Sequence, residues 1–280
     1  MDNNQTIELF SLPDIHFQLS RMLDDARYTG QDFVQVISKD PALCVRLLKI
    51  VNSFSYPFPS RVDTINRAIS VVGTEDLRNL VLTTSATNSF DKIPDDLVDM
   101  TSFWIRSVNC AVIAKILAIK CSVLHSERLY IAGLLHDLGS LIFYFQFPAE
   151  SKKILEEAKY DHQRIIELEN KIIGFNHIDV GAELLRSWEL PDSLSGSVRH
   201  CKHPDLAKDY ILDAYILNLA TILCDVFTRA DHGEDVFLKI PEATLTMLKL
   251  KRQGIEQILE QSREEFSQIF TMIAPGQTAN

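Results

Sequence analysis

The chain has no apolar run approaching the roughly 18 residues of a membrane-spanning helix, so no span is expected. Nor does it have a basic excess: 28 lysines and arginines stand against 38 aspartates and glutamates, a formal net charge of −10. That balance argues against general nucleic-acid binding and against attachment to an anionic membrane, while leaving room for a local basic pocket. Glycine and proline are scarce, at 10 each, which speaks against long irregular stretches. The N-terminus, Met1-Asp-Asn-Asn-Gln-Thr, lacks the basic and apolar blocks of a signal peptide. The five cysteines, at 44, 110, 121, 201 and 224, form no Cys-x-x-Cys pair and are odd in number, as expected of a reduced, cytoplasmic protein with buried thiols. There is no glycine-rich phosphate loop, no nucleophile elbow for Ser-His-Asp catalysis, no internal repeat and no low-complexity tract.

What is present is helical periodicity almost throughout, in a chain of 280 residues that is long enough for one large or two small domains. Asp40-Pro41 caps a helix whose Leu43, Cys44, Leu47, Leu48 and Val51 share one face. Ile65, Ala68, Ile69 and Val72 supply another face, ended by Gly73. The stretch 88–96, with Pro94 and three aspartates, is the best boundary, dividing the chain into residues 1–93 and 94–280. Phe103 to Ile119 is apolar on nearly every side and predicts a central helix. Leu129 to Phe147 reads as one helix, followed by helices over Gln163–Ile173, Val180–Trp188, Pro191–His200, Tyr210–Thr228 and Ala243–Ile269. The expected fold class is all-α.

His136-Asp137, within Gly133-Leu-Leu-His-Asp-Leu-Gly139, is the feature with most chemical content. A histidine beside a carboxylate can begin a divalent-metal site, which needs about four to six N/O ligands and an open position for water if it is catalytic. Other groupings have plainer readings. His200-Cys-Lys-His203 fits a helix C-terminus with cationic groups better than a ligand cluster. Arg46, Lys49, Arg61, Arg67 and Arg78 fit solvated helix faces as well as a phosphate-binding patch. Trp104 and Trp188 are expected in the core, and Cys201 and Cys224 are expected to be inert.

Three blocks together resemble a known family. Asp40-Pro-Ala-Leu-Cys-Val-Arg-Leu-Leu-Lys-Ile-Val-Asn-Ser53, then Tyr56-Pro and Ile65-Asn-Arg-Ala-Ile-Ser-Val-Val-Gly73, are similar to the bacterial HDOD ("HD-related output") domains. Phe103-Trp-Ile-Arg-Ser107, the His136-Asp137 motif, and His177-Ile-Asp-Val-Gly181 leading to Trp188-Glu-Leu-Pro191 resemble the matching HD-like part. The resemblance covers about residues 8 to 260 and implies an HD-like helical bundle with an additional N-terminal helical subdomain, here residues 1–93 against 94–280.

HD phosphohydrolases hold one or two metals through an early histidine, the His-Asp pair, further histidines and a late aspartate. By that resemblance His136, Asp137, His177 and His200 are the vestigial metal set, and the implied ion is Fe, Mn, Zn or Mg. Arg106 stands where the early histidine would be, Cys201 where many relatives have a second consecutive histidine, and Thr221 at the best-aligned place for the late aspartate, with Asp225 one turn on. A guanidinium stays protonated and repels a cation, so Arg106 is expected to block the site or to form a salt bridge, with Asp137 as its expected partner. The resemblance with these substitutions therefore implies a non-catalytic signal-transduction module acting by protein–protein recognition, with the degenerate metal pocket open to a small ligand and no cofactor assigned beyond that divalent ion. Its partners would be signalling proteins in trans: a kinase, a response regulator or a cyclic-di-GMP enzyme, since the chain has no room for a receiver or cyclase domain of its own. The competing expectations are a metal-dependent phosphohydrolase for a nucleotide or phosphodiester, and a nucleotide sensor without hydrolysis.

Overall fold

The computed structural model describes residues 18, 19, 21, 22, 25, 27–40, 43, 44, 47, 48, 51, 52, 61–71, 73, 93, 97–124, 126–159, 161–187, 190–228 and 236–273. All the regular structure among them is helical: α1 Gly30–Ile37, α2 Met100–Lys120, α3 Glu127–Leu135, α4 Leu138–Gln146, α5 Pro148–Ala158, α6 His162–Ile172, α7 His177–Ser187, α8 Asp192–Arg199, α9 Ile211–Thr228, α10 Glu242–Leu248 and α11 Arg252–Ile273, with 3-10 turns at Pro204–Leu206 and Val236–Lys239. Residues 65–71 are also helical. Trp188, Arg46, Lys49 and Arg78 lie outside the described residues, as do the side chain of Trp104 and most of the proposed boundary at 88–96.

An all-round apolar helix must be covered on all sides, and α2 is: α3, α9 and α11 pack on it, burying Val108, Cys110 to Ala114 and Ile116 to Ala118. One hydrophobic cluster runs without interruption from Leu19 in the N-terminal third to Ile258 on α11. A smaller one (Leu97, Ile154, Leu155, Ala158, Ile165, Leu168) lies under α5 and α6.

The Asp40 block works as a structural staple. Its carboxylate is fully buried and accepts the Leu43 N–H at 3.0 Å, and Leu43, Cys44, Leu47 and Leu48 are completely buried behind it. Asn52 closes the block. Its amide donates to the Leu48 and Val62 carbonyls (2.8 Å each), and its oxygen accepts the Val62 N–H at 2.7 Å. Arg61 then reaches across to the Leu190 carbonyl at 3.0 Å, and Tyr130 Oη donates to the Ser38 carbonyl at 2.7 Å. Both bonds join the N-terminal residues to the bundle.

Two expected helices are broken. The stretch Leu129–Phe147 is two helices, α3 and α4, interrupted at the His-Asp pair: His136 caps the end of α3 and Asp137, with φ −109° and ψ 10°, precedes the start of α4. Periodicity continues across that break because both helices bury their faces in the same core. The stretch Ala243–Ile269 is also two helices, α10 and α11, separated at Lys249, whose φ of +53° cannot continue a right-handed helix.

The glycines flanking the pair explain where the break points. A Cβ on Gly133 would lie 2.7 Å from the Ala111 Cα, so α3 rests backbone-on-backbone against α2. A Cβ on Gly139 would overlap the His177 carbonyl, and one on Gly181 would sit 3.2 Å from the Gly139 nitrogen. Hence α4 and α7 cross at these two glycines, which brings the first residue of α7, His177, beside Asp137.

Candidate functional site

The site lies where α2, the α3–α4 break, the starts of α6 and α7, the segment after α8, and α9 converge. His177 is buried between two carboxylates. Its Nδ1 bonds Glu169 Oε2 at 2.7 Å, its backbone N–H donates to the same oxygen at 3.0 Å, and its Nε2 lies 3.7 Å from Asp137 Oδ1. Burial opposes a charge on this ring, but the Glu169 hydrogen bond and the fields of Glu169 and Asp137 win, and its pKa is raised. Asp137 also accepts the Ser140 hydroxyl at 2.5 Å. Burial favours its acid form, yet the fields of His177 and Arg106 and the Ser140 bond hold the carboxyl well below the usual range.

Arg106 does not pair with Asp137. Its Nη2 forms an ion pair with Asp225 Oδ1 at 2.9 Å, and its Nη1 lies 2.5 Å from His162 Nε2. Because α9 packs along α2, the carboxylate one turn beyond Thr221 meets the guanidinium, while Asp137 is taken up by Ser140 and His177. Burial works against the charge of Arg106, but Asp225, followed by Asp137, keeps it firmly protonated. Burial and then Arg106 push His162 down to about 3, so its neutral Nε2 accepts from the guanidinium. At Thr221 the hydroxyl is fully buried and accepts from Lys202 Nζ at 3.2 Å. The site thus sets Arg106, Lys202 and His177, whose pKa is raised, among Asp137, Asp225 and Glu169.

Of the four histidine and aspartate positions singled out as ligands, three come together: His136, Asp137 and His177. His136 Nδ1 bonds the Gly133 carbonyl at 2.7 Å, its Nε2 is buried with no hydrogen-bond partner among the described residues, and burial pushes the ring down to about 4. His200 is half-buried at the C-terminal cap of α8, and among the described residues no side-chain hydrogen bond or ion pair ties it to the other three. His162, Glu169 and Lys202 escaped sequence reasoning. The only signal for His162 was Asp161, whose side chain caps α6 by accepting the Arg164 N–H. For Glu169 and Lys202 there was none.

A divalent ion fits this set poorly. One Asp137 oxygen is engaged by Ser140 and His177, and two fixed cations, Arg106 and Lys202, stand where the early histidine and late aspartate would contribute donors. Among the described residues no group of three or more His, Cys, Asp or Glu side chains is arranged to hold a metal. All five cysteines are thiols, and burial raises Cys201 to about 11 and Cys224 to about 12, which leaves them poor nucleophiles.

The HDOD domain family matches residues 9–204, and the chain belongs to that family. Its fold is that of HD-related helical bundles. The structure superposes on the MmoQ response regulator of Methylococcus capsulatus with a TM-score of 0.69 at 21% identity, covering 90% of this chain and 98% of that one. For a virulence factor of Campylobacter jejuni the values are 0.67, 23%, 92% and 96%. An HDOD domain protein of Geobacter sulfurreducens gives 0.55 at 20% identity, with 96% and 93% covered. An uncharacterised protein of Treponema pallidum is 26% identical over 244 residues, which make up 86% of this chain and 46% of that protein, so the chain spans about half the length of this relative.

Proposed function

We propose that this HDOD chain is a non-catalytic regulatory module of bacterial, cytoplasmic signal transduction, working by protein–protein recognition in trans. Kinases, response regulators and cyclic-di-GMP enzymes are the partner classes, and residues 1–93 and 94–280 act as N-terminal and HD-like parts sharing one core. The reading is carried by the Arg106–Asp225 ion pair at 2.9 Å: a fixed monovalent cation neutralises the carboxylate best placed to replace the missing late ligand. Lys202 on Thr221 supports it from the other side. His136, Asp137 and His177 are then a structural charge network rather than a catalytic centre, and His200 takes no part in it.

The test combines elemental analysis of protein purified without chelator with turnover assays on nucleotides and phosphodiesters in Mn²⁺. The expected result is no stoichiometric Fe, Mn or Zn and no hydrolysis. Turnover that disappears in a folded Asp137→Ala chain would overturn the proposal in favour of a phosphohydrolase. Saturable nucleotide binding without turnover, read by thermal shift, would favour the sensor reading instead.

A further inference from the structure

The last turn of α2, the turn joining α10 to α11, and the 3-10 turn at Val236–Lys239 meet on one surface. The Cys121 thiol, just past α2, donates to the Leu248 carbonyl at 3.8 Å, and Lys120 Nζ donates to Gln257 Oε1 on α11 at 3.5 Å. The Arg252 guanidinium lies 4.1 Å from the centre of the Phe237 ring, which ties the 3-10 turn to the start of α11. Between α10 and α11 the chain alternates. Leu248 and Leu250 pack on the core. The left-handed turn at Lys249, closed by the Leu250 N–H on the Leu245 carbonyl at 3.1 Å, leaves Met247, Lys249 and Lys251 outside.

This surface is basic in a chain whose formal net charge is −10. Lys120, Lys249 and Lys251 are exposed, and among the described residues none of the three is in an ion pair. Of the carboxylates on the same elements, Glu256 takes Arg252 at 3.4 Å, Glu242 begins α10 a helix length from Lys249, and Glu260 lies further along α11. Large apolar side chains stand among the lysines: Leu238 is 86% exposed, Ile119 56% and Met247 44%. A lone exposed leucine needs no explanation, but several apolar side chains rimmed by like charge mark a recognition surface.

Charge selects the occupant. A second copy related by a twofold axis would set the three lysines against themselves. An anionic bilayer or a nucleic acid presents a field broader than the patch, and the net negative charge of the whole chain opposes it. A short acidic segment meets the patch alone, since charges further off than about 8 Å are screened at physiological ionic strength. We propose that this surface docks an acidic amphipathic segment of a partner protein, its carboxylates on Lys120, Lys249 and Lys251 and its apolar face on Ile119, Leu238 and Met247. The proposal rests on the protein–protein recognition reading above and gives that partner its chemistry.

Fluorescence anisotropy of the full chain with a labelled amphipathic peptide of leucine and glutamate tests it, with the leucine–glutamine peptide of the same pattern as control. The acidic peptide is expected to bind saturably at one per chain, about tenfold or more tightly than the glutamine peptide, and to weaken as salt is raised. Lys120→Glu, Lys249→Glu and Lys251→Glu together should weaken it about tenfold or more. Lys153→Glu, Lys171→Glu and Lys208→Glu together, on side chains exposed on other parts of the chain, should leave it unchanged. Ile119→Ser with Met247→Ser should weaken binding at high salt as well as low. Should the triple reversal fail to fold, Lys249→Gln with Lys251→Gln gives the same comparison without reversing charge. Absent or equal binding of the two peptides, or equal losses from both sets of reversals, would overturn the proposal. So would phosphatidylserine vesicles outcompeting the peptide, or a dimer in sedimentation that the triple reversal dissolves. The turnover and metal assays above read separately: hydrolysis sinks the non-catalytic reading, whereas an indifferent peptide without turnover sinks this surface alone.

Discussion

Asp225→Asn changes the charge network at a single point. It keeps the volume of the side chain and removes its charge, so Arg106 faces a neutral amide while its own guanidinium stays protonated. Removing one partner of a buried pair costs about 3–5 kcal/mol. Two features reduce that figure here. The paired side chains are 17% and 22% exposed, and Arg106 keeps His162 Nε2 as an acceptor. A loss of about 2 kcal/mol is therefore expected, equivalent to a fall of about 4–8 °C in the thermal midpoint. Urea and thermal unfolding followed by circular dichroism would measure it. Removing both charges together, with Arg106→Met and Asp225→Leu, should recover part of that loss, because the guanidinium is then no longer left facing a neutral amide. If Asp225→Asn is as stable as the native chain, or the double variant is weaker than the single one, the pair does not fix the site and the reasoning fails.

Four further outcomes follow from the same geometry. His136 and His162 have folded pKa values of about 4 and 3 against an ordinary 6.5, so the stability they confer is complete above that value and is lost as pH falls toward 3. Within that window each contributes about 1.4 kcal/mol per pH unit, and urea midpoints should show a shallower acid fall in His162→Gln. His177 works in the opposite sense: its raised pKa gives stability that is present at low pH and lost as pH rises through the folded value, so Glu169→Gln should flatten that alkaline loss. Gly139→Ala should cost about 2–3 kcal/mol in denaturant unfolding by forcing α4 off the His177 carbonyl, whereas Gly254→Ala, whose Cβ meets only Leu250 at 3.9 Å, should gain up to about 1 kcal/mol. Combining Arg106→His with Thr221→Asp removes the fixed cation at 106 and supplies two donors. Elemental analysis should then find retained Mn or Fe that the native chain does not hold, and an unchanged metal content would show that the remaining donors do not converge.

Much of the architecture could be read from side-chain spacing. The apolar circumference of α2 foretold its central place, and the Asp40 block foretold a buried capped helix, because both depend on residues close in sequence. The break at His136-Asp137 was hidden, since a helical period does not register a change of axis when both halves face one core. The partner of Arg106 was hidden for a different reason. Whether it meets Asp137 or Asp225 depends on how far α9 slides along α2, and one turn decides the matter. Glu169 and Lys202 become neighbours of the site only through the crossing of helices far apart in the chain, which no local pattern records.

Gly133 and Gly139 give the site a property that its side chains do not. Each lets one backbone rest directly on another, so the positions of His136 and Asp137 are gauged by main chain at both ends of the motif. A frame set this way does not depend on what it encloses. Donors can be exchanged one at a time, histidine for arginine or aspartate for threonine, and the outline of the pocket is kept while its chemistry is rewritten.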